Sequence, residues 1–418
     1  DQKKVDSLRV IWPDNTTQLF LNVEANQRLL IDKKNVDRPL QHSEPEKAQT
    51  IFTKATGIID YKNEALKEND FKRQLLMLFM YSKTGPVMAK GDINKDGLED
   101  LFISGDRKNF GRVYVQQTAG KFGRSEDIYI GDENSSSVVA AVFFDANGDG
   151  LDDLYVAMGG YAYWEPNTFS LQDELYMNDG KGKLKLAKEL LPDVSASSKS
   201  CVRPCDYDND GDLDLFVGGR VIPGRYPTTP KSYLLVNNGK GQFTIAPIPF
   251  SETGMVTDAQ WSDVNNDGRK DLLLCGEFMP LTVLINSTIG FLDKTSDYFD
   301  KPETGFWFSL TVADVDGDGK EDIMAGNLGM NSPLHLSEKE PAELFYTDFD
   351  GNGSVDPFLN FYVQGKTYPF VSRDELNEQI YPMRKKFSSY KNYADATMNE
   401  IFSADELAKA TKLSAAEN

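Results

Sequence analysis

Short apolar segments recur along the chain, each interrupted by a cluster of acidic and glycine residues. "VVAAVFF" (138–144) precedes one such cluster, and "DLYVAM" (153–158), "DLFVGG" (214–219) and "DLLLCG" (271–276) each follow one. These runs have the length and the β-branched and aromatic content of buried strands, and they are too short for helices. A second set alternates apolar and polar positions and then breaks at a turn: "VYVQQTAGKF" (113–122), "LYMNDGKGKL" (175–184), "YLLVNNGKGQF" (233–243) and "TVLINSTIGF" (282–291). Each predicts a strand, a glycine-containing turn and a new strand. Two strands around each acidic cluster and two around each such turn make four per repeat. At the amino end, "SLRVIWPDNTTQLFLNVEANQRLLID" (7–32) reads as strands around a Pro-Asp-Asn turn. Toward the carboxyl end, "SRDE" (372–375) and "SADE" (403–406) have the form of helix capping boxes, so residues 372–418 read as helical. No strand able to close a ring of blades is visible in that ending, which suggests a natural chain continuing past Asn418.

The acidic clusters are six copies of one phrase: "DINKDGLED" (92–100), "DANGDGLDD" (145–153), "DYDNDGDLD" (206–214), "DVNNDGRKD" (263–271), "DVDGDGKED" (314–322) and "DFDGNGSVD" (348–356). Every copy has Asp at positions 1 and 9, Asp or Asn at 3 and 5, and Gly at 6. They start 53, 61, 57, 51 and 34 residues apart, which marks an internal repeat. Carboxylates this dense repel one another unless a cation lies between them. A hard divalent ion takes six to eight oxygen ligands, and side chains at positions 1, 3 and 5 of a tight loop can converge on one centre. Gly at position 6 supplies the sharp turn, and a carbonyl near position 7 with Asp at position 9 would complete the shell.

Calcium fits this donor set. Magnesium requires a stricter octahedron, and zinc favours His and Cys. Up to six sites follow, with Asp92, Asn94, Asp96 and Asp100 in the first loop and Asp145, Asn147, Asp149 and Asp153 in the second. The third offers Asp206, Asp208, Asp210 and Asp214, and the fourth Asp263, Asn265, Asp267 and Asp271. Asp314, Asp316, Asp318 and Asp322 form the fifth set, and Asp348, Asp350, Asn352 and Asp356 the sixth. An EF-hand is excluded: it needs Glu at position 12, where these loops carry Ile103, Val156, Val217, Leu274, Ala325 and Leu359. The alternative is a set of acidic turns without metal, and one register kept six times weighs against it.

Composition adds constraints. The 418 residues are 40 % hydrophobic and 11 % aromatic, enough for a large core. Asp plus Glu number 65 against 45 Lys plus Arg, for a net charge of −20, which disfavours nucleic acid and anionic membrane surfaces as partners. The nine-residue windows hold 24 of those acids, and six calcium ions would bring the formal charge to about −8. No apolar run is long enough to span a bilayer, and "DQKKVDSLRV" is no signal peptide, consistent with a mature or trimmed start. Cys201, Cys205 and Cys275 allow at most one disulfide and are expected to be free thiols, mostly buried.

Four-stranded units of roughly 50 residues describe propeller blades better than sandwich strands. The pairing of D-x-[DN]-x-[DN]-G-x-x-D with a downstream N-x-G-x-G-x-F resembles the FG-GAP/VCBS repeat family over roughly residues 50–371. That family includes integrin α-chains and many bacterial surface proteins, and the resemblance implies a calcium-bearing β-propeller at an extracellular or cell-surface location, association with an outer membrane included. The sixth copy departs from the pattern, with a short interval before it and Pro357 directly after its last Asp, so its blade is expected to be irregular or truncated. Trp12 and Pro13 with "ANQ" (25–27) are similar to the ASPIC/UnbV segment found in proteins related to cartilage acidic protein.

The expected architecture is therefore all-β. A small β-module spans 1–40, a polar linker covers 32–47, a propeller of about six or seven four-stranded blades spans 48–371, and a helical segment spans 372–418.

Function is less constrained. His42 and His335 are the two histidines and neither neighbours a nucleophile; G-x-S-x-G and H-E-x-x-H are absent. "GGYAYWEPNTF" (159–169) places Tyr161, Tyr163 and Trp164 in a loop suited to stacking on sugar faces. "GGRVIPGRYPTTPKS" (218–232) offers Arg220, Arg225 and Tyr226. Trp307 leads into a strand and reads as core. The expectation is a non-catalytic recognition or adhesion module for a glycan or a surface protein. The alternatives are a calcium-dependent polysaccharide lyase or hydrolase, with Arg220, Arg225 and Tyr226 as its candidate groups, and a structural part of a larger surface protein.

Overall fold

The computed structural model describes residues 3–33, 36–39, 51–62, 67–104, 111–118, 120–130 and 137–417, with backbone alone at 37–39 and 125–130. His42 and most of the expected linker lie outside the described residues. The chain divides into two compact units, Asp1–Thr56 and Gly57–Asn418.

In the first unit, β1 (Lys4–Ile11), β2 (Thr16–Glu24) and β3 (Asp37–Pro39) form an antiparallel sheet in that order. Asn15 takes a left-handed conformation (φ 62°), which Asn tolerates, and closes the Pro-Asp-Asn turn. Buried Gln18 accepts a 3.0 Å hydrogen bond from Trp12 Nε1 and donates one to the Asp32 carbonyl.

The second unit is built of hairpins, each with an acidic loop as its turn. The first sheet holds β4 (Met88–Gly91), β5 (Asp100–Ile103), β6 (Gly111–Thr118) and β7 (Lys121–Ile130); the second holds β8 (Ser137–Phe144), β9 (Asp153–Gly159), β10 (Glu174–Asn178) and β11 (Leu184–Leu186). The third has β12 (Ser198–Cys205), β13 (Asp214–Val221), β14 (Tyr233–Val236) and β15 (Thr244–Ile245), and the fourth β16 (Met255–Ser262), β17 (Asp271–Met279), β18 (Thr282–Ser287) and β19 (Gly290–Asp293). The first strand of each sheet lies beside the first strand of the next, from β4 to β8, β12, β16 and on to the fifth hairpin.

Period-two alternation lets one strand serve two cores. On β9, Leu154, Val156 and Met158 pack with Phe102 and Val113 of the first sheet. Tyr155 and Ala157 pack with Val202, Leu215 and Val217 of the third. On β17, Leu272 and Leu274 meet Phe216 and Leu234, whereas Leu273 and Cys275 face Leu310 of the fifth hairpin. Burying each such side chain contributes roughly 1.5–3 kcal/mol, and this double burial explains why these strands read as continuous apolar runs. All three cysteines are free, Cys201 and Cys275 buried and Cys205 half-buried.

Two expectations are corrected. The fifth hairpin, β20 (Gly305–Ala313) with β21 (Asp322–Asn327), is the one that falls short: it has two strands and joins the fourth sheet through β17 and β20. The sixth is complete. Its β22 (Ala342–Thr347), β23 (Asp356–Val363) and β24 (Lys366–Pro369) are joined by β25 (Thr411–Ala415), in the order β24-β23-β22-β25. The carboxyl-terminal segment thus does supply a strand, with Leu344 opposite Leu413. A five-residue strand after a capped helix carries almost no periodic signal, which is why it was not legible.

Between β24 and β25 lie α2 (Arg373–Gln379), α3 (Met383–Lys386), α4 (Tyr390–Tyr393), α5 (Met398–Ile401) and α6 (Ala404–Lys409); α1 (Thr295–Tyr298) follows β19. Both expected capping boxes are present, Ser372 with Glu375 and Ser403 with Glu406, and a further one joins Thr397 to Glu400. Leu376, Ile380, Ile401 and Phe402 bury against Phe358 of the sixth hairpin.

Candidate functional site

The acidic loops share one conformation. In all six, the position-1 carboxylate accepts the backbone N–H of the position-6 glycine: Asp92 from Gly97 (2.8 Å), Asp145 from Gly150 (2.6 Å), Asp206 from Gly211 (3.1 Å), Asp263 from Gly268 (2.8 Å), Asp314 from Gly319 (3.0 Å) and Asp348 from Gly353 (2.8 Å). These glycines have φ between 77° and 97°. At Gly97, Gly211 and Gly268 an added Cβ would meet nothing within 4 Å, so glycine serves backbone conformation and not space. Position 4 is left-handed as well. It holds Lys95, Gly148, Asn209, Asn266, Gly317 and Gly351, a Gly/Asn bias visible in the sequence that the reading by acidic positions passed over.

Position 9 opens the second strand of every hairpin and has two structural tasks. In five loops its Oδ2 accepts the N–H of position 2, as Asp100 does from Ile93 (3.1 Å) and Asp322 from Val315 (2.9 Å). In the first four its Oδ1 accepts a backbone N–H from the third strand: Asp100 from Gln116, Asp153 from Asn178, Asp214 from Asn237 and Asp271 from Asn286. In the sixth, Gln379 Nε2 takes that place at 2.6 Å from Asp356. Burial raises the carboxyls of Asp153 and Asp356 to about 6, partly opposed by these hydrogen bonds.

The third-strand asparagines also staple neighbouring loops together. Asn178 Nδ2 donates to the carbonyls of Ile93, in the first loop, and Asp152, in its own. Asn237 joins Ala146 to Leu213, and Asn286 joins Tyr207 to Lys270, in the same geometry. The first four loops therefore form a hydrogen-bonded chain, which the Asn of the N-x-G-x-G phrase could have signalled.

The donor atoms suit a hard cation. Carboxylate oxygens of Asp206, Asp208 and Asp210 lie within 4.8 Å of one another, as do those of Asp314, Asp316 and Asp322 and those of Asp348, Asp350 and Asp356. In the third loop Asp214 Oδ2 is buried without a hydrogen-bond partner, as is Asp212 Oδ1. Burial pushes the Asp214 carboxyl up to about 7, the Asn237 N–H pulls it partly back, and Asp208, Asp212 and Asp210 push it up again. A bound cation would relieve that repulsion. Position 3 is Asn in the first, second and fourth loops, where its amide donates to the position-5 carboxylate at 3.0–3.1 Å.

The six residues proposed for ligand contact separate. Tyr161 and Tyr226 are fully buried, Arg220 is held by Glu277 at 2.5 Å, Trp164 is half-buried, and Tyr163 and Arg225 are exposed. The cause is the segment Asp70–Ser82, which sequence reasoning left unassigned. Arg73 donates to the carbonyls of Tyr161 (2.8 Å) and Trp164 (2.5 Å), and Gln74 Nε2 to those of Tyr226 (2.6 Å) and Val355 (2.9 Å). Tyr161 Oη donates to Gln74, Ser82 Oγ accepts from Tyr161 N at 2.9 Å, and Tyr81 Oη donates to Glu277 at 3.1 Å. One segment thus ties the second, third, fourth and sixth hairpins, and its apolar run "LLMLFMY" (75–81) was the available signal. His335 is exposed, and Trp307 is half-buried on β20.

A family profile described as FG-GAP-like repeat matches residues 92–156 and 263–325, spans that contain the first, second, fourth and fifth loops. A profile described as ASPIC and UnbV matches residues 1–38. No curated protein matches the chain by sequence. Among solved structures, an Agrocybe aegerita lectin, described by its recognition of non-reducing terminal N-acetylglucosamine, is similar at TM-score 0.40 and 16 % identity, over 78 % of this chain and 70 % of that one. Saccharomyces cerevisiae Sqt1 is similar at TM-score 0.35 and 13 % identity, over 56 % of this chain and 54 % of that one. On the two profile matches and the six loops, the chain carries FG-GAP-like repeats preceded by an ASPIC and UnbV segment.

Proposed function

We propose that residues 57–418 form a closed, calcium-stabilised β-propeller that works as a recognition module outside the cell and binds glycan through its inter-strand loops. The observation that carries the reading is the set of six loops in one conformation, each gathering oxygen donors at a hairpin turn. Calcium supplies positive charge there, while the chain's own residues shape the loops and link them. Extracellular modules of this kind bind calcium at roughly 10⁻⁴ to 10⁻³ M, concentrations met outside cells.

Ligand contact is best supported at residues 160–172. Arg73 holds the backbone of this loop, while Tyr163 is 61 % and Phe169 72 % exposed. Aromatic faces on a pinned loop suit the flat C–H faces of sugars. Tyr226 is buried and Arg220 is half-buried against Glu277, leaving Arg225 as the one exposed member of the three lyase candidates, which supports the recognition reading over a lyase that would need all three at a surface.

A glycan array probed in millimolar calcium and again in chelator tests this. Calcium-dependent binding lost in Tyr163→Ala is expected. Binding to no glycan in either condition overturns the glycan reading, and ultraviolet-absorbing product from uronate polysaccharides would make the protein a lyase.

A further inference from the structure

We propose that the outer edge of β21 receives a strand from a different protein, antiparallel to it, with alternating aliphatic residues, an Asn near its carboxyl end and basic residues at its amino end. The inference goes beyond the glycan reading and does not depend on it.

The first four sheets show what such an edge is built to hold. In each, the second strand pairs with a third; in the second to fourth that strand runs aliphatic to Asn, as in "LYMN", "LLVN" and "VLIN". The single Asn then makes three bonds: its N–H to the position-9 carboxylate, and its amide to a carbonyl of its own loop and one of the preceding loop. At the fifth hairpin all three acceptors are present and, among the described residues, none is used: Asp322 Oδ1 and the carbonyls of Glu321 and Val264.

Burial tells the same story. β9 and β17 are buried along their whole length, whereas every residue of β21 is partly or fully exposed, with Met324 at 47 %. Among the described residues β21 pairs only with β20. An open edge of this kind is a template for strand addition.

Charge selects the incoming strand's orientation and flank. Antiparallel pairing with the Asn at the loop end puts the strand's amino end beside Asn327. There a cavity of about 640 Å³ is lined by Glu303, Glu338 and Glu417 and by Lys339, together with Trp307 and Met330; Glu338 is already paired with Lys301, which leaves Glu303 and Glu417 in excess. The neighbouring Glu338, then desolvation, then Glu417 push the Glu303 carboxyl up to about 7. Cationic side chains at the strand's amino end would relieve this crowding.

The test uses the full chain and capped peptides at up to millimolar concentration. The first carries two lysines followed by TVLINS, the fourth sheet's own third strand; the others replace Asn with Ala, or both lysines with glutamates. The expected result is saturable binding by the first peptide and slower hydrogen exchange at residues 322–327. Affinity should fall about tenfold on replacing Asn and also fall with the glutamate flank. Equal affinity for the Ala peptide, or no binding and no protection, overturns the proposal. A dimer in sedimentation whose 322–327 amides are already protected without peptide would assign the edge to a second copy and overturn it too.

Discussion

The third and fifth acidic loops have the same register and the same number of acids, five in nine positions, yet they occupy opposite environments. Asp214 of the third is buried and bound to Asn237, and the loop is stapled forward by Asn286. Asp322 of the fifth is half-exposed and residues 314–321 are all exposed, and among the described residues no third strand lies beside them. The difference teaches that the loop motif shapes itself but does not set its own burial. What sets burial is the strand that follows, present in one case and missing in the other.

The comparison can be broken most sharply at the inter-sheet contacts. Buried Lys199 and Asp173, 3.0 Å apart, join the third sheet to the second, and Tyr155 Oη donates to the same Asp173 at 2.7 Å. Asp173→Ala strands the ammonium and should cost about 3–5 kcal/mol in chemical denaturation. Lys301 and Glu338, a 2.7 Å pair near the fifth hairpin, are both exposed and screened by solvent; Lys301→Ala should leave the denaturation midpoint essentially unchanged. Equal losses would refute the distinction between a buried and an open region.

Calcium linkage comes next. At about a hundredfold excess over its dissociation constant, one calcium ion stabilises by about 2.7 kcal/mol. Asp206→Ala should remove that increment and lower the melting temperature in calcium more than Asp314→Ala, because the third loop is stapled to its neighbours. If neither substitution changes the calcium-induced shift, or if melting is the same in excess calcium and excess chelator, these loops are not metal sites.

The calcium-free protein should also respond to pH. Burial raises Asp153 and Asp356 to about 6 and Asp214 to about 7, above their unfolded values. The folded state therefore holds protons that the unfolded state has released. The stabilisation from these groups is complete below about pH 4 and is lost as pH rises through about 6 to 7. In chelator, the melting temperature should fall across that window; calcium, which needs the carboxylates ionised, should flatten the trend. A chelated protein whose stability rises across the same window would contradict the assignment.

An effect smaller than that at Asp173 is expected at the staples. Asn286→Ala leaves the Tyr207 and Lys270 carbonyls without their donor and should cost about 1–3 kcal/mol. It should also weaken calcium binding at the third and fourth loops together. A calcium titration in which both sites keep their affinity would reduce the staple to a packing contact.

Much of the second unit was legible in its sequence because the signals are local. The bonds that fold each acidic loop span two to seven residues, from Asp96 N–H on Asn94 to Ile93 N–H on Asp100, so nine letters specify the turn and the strands it joins. Apolar runs such as "DLLLCG" likewise announced strands buried on both faces. The ligand-contact candidates were less legible. Tyr161, Tyr163 and Trp164 share a loop of aromatic composition, but which ring faces water depends on Arg73 and Gln74, more than eighty residues earlier.

By itself, then, the sequence determined six hairpins with oxygen-lined turns, the glycines that allow them and the capped helices near the carboxyl end. Only the tertiary structure decided which aspartates are buried, which asparagines link loops, that Thr411–Ala415 completes the sixth sheet, and that the fifth hairpin keeps an open edge. The physical reason is range. A turn is closed by hydrogen bonds between near neighbours, whereas burial and sheet completion require partners as distant as Gln74 and Val355, 281 residues apart. No pattern within a short window encodes such a meeting.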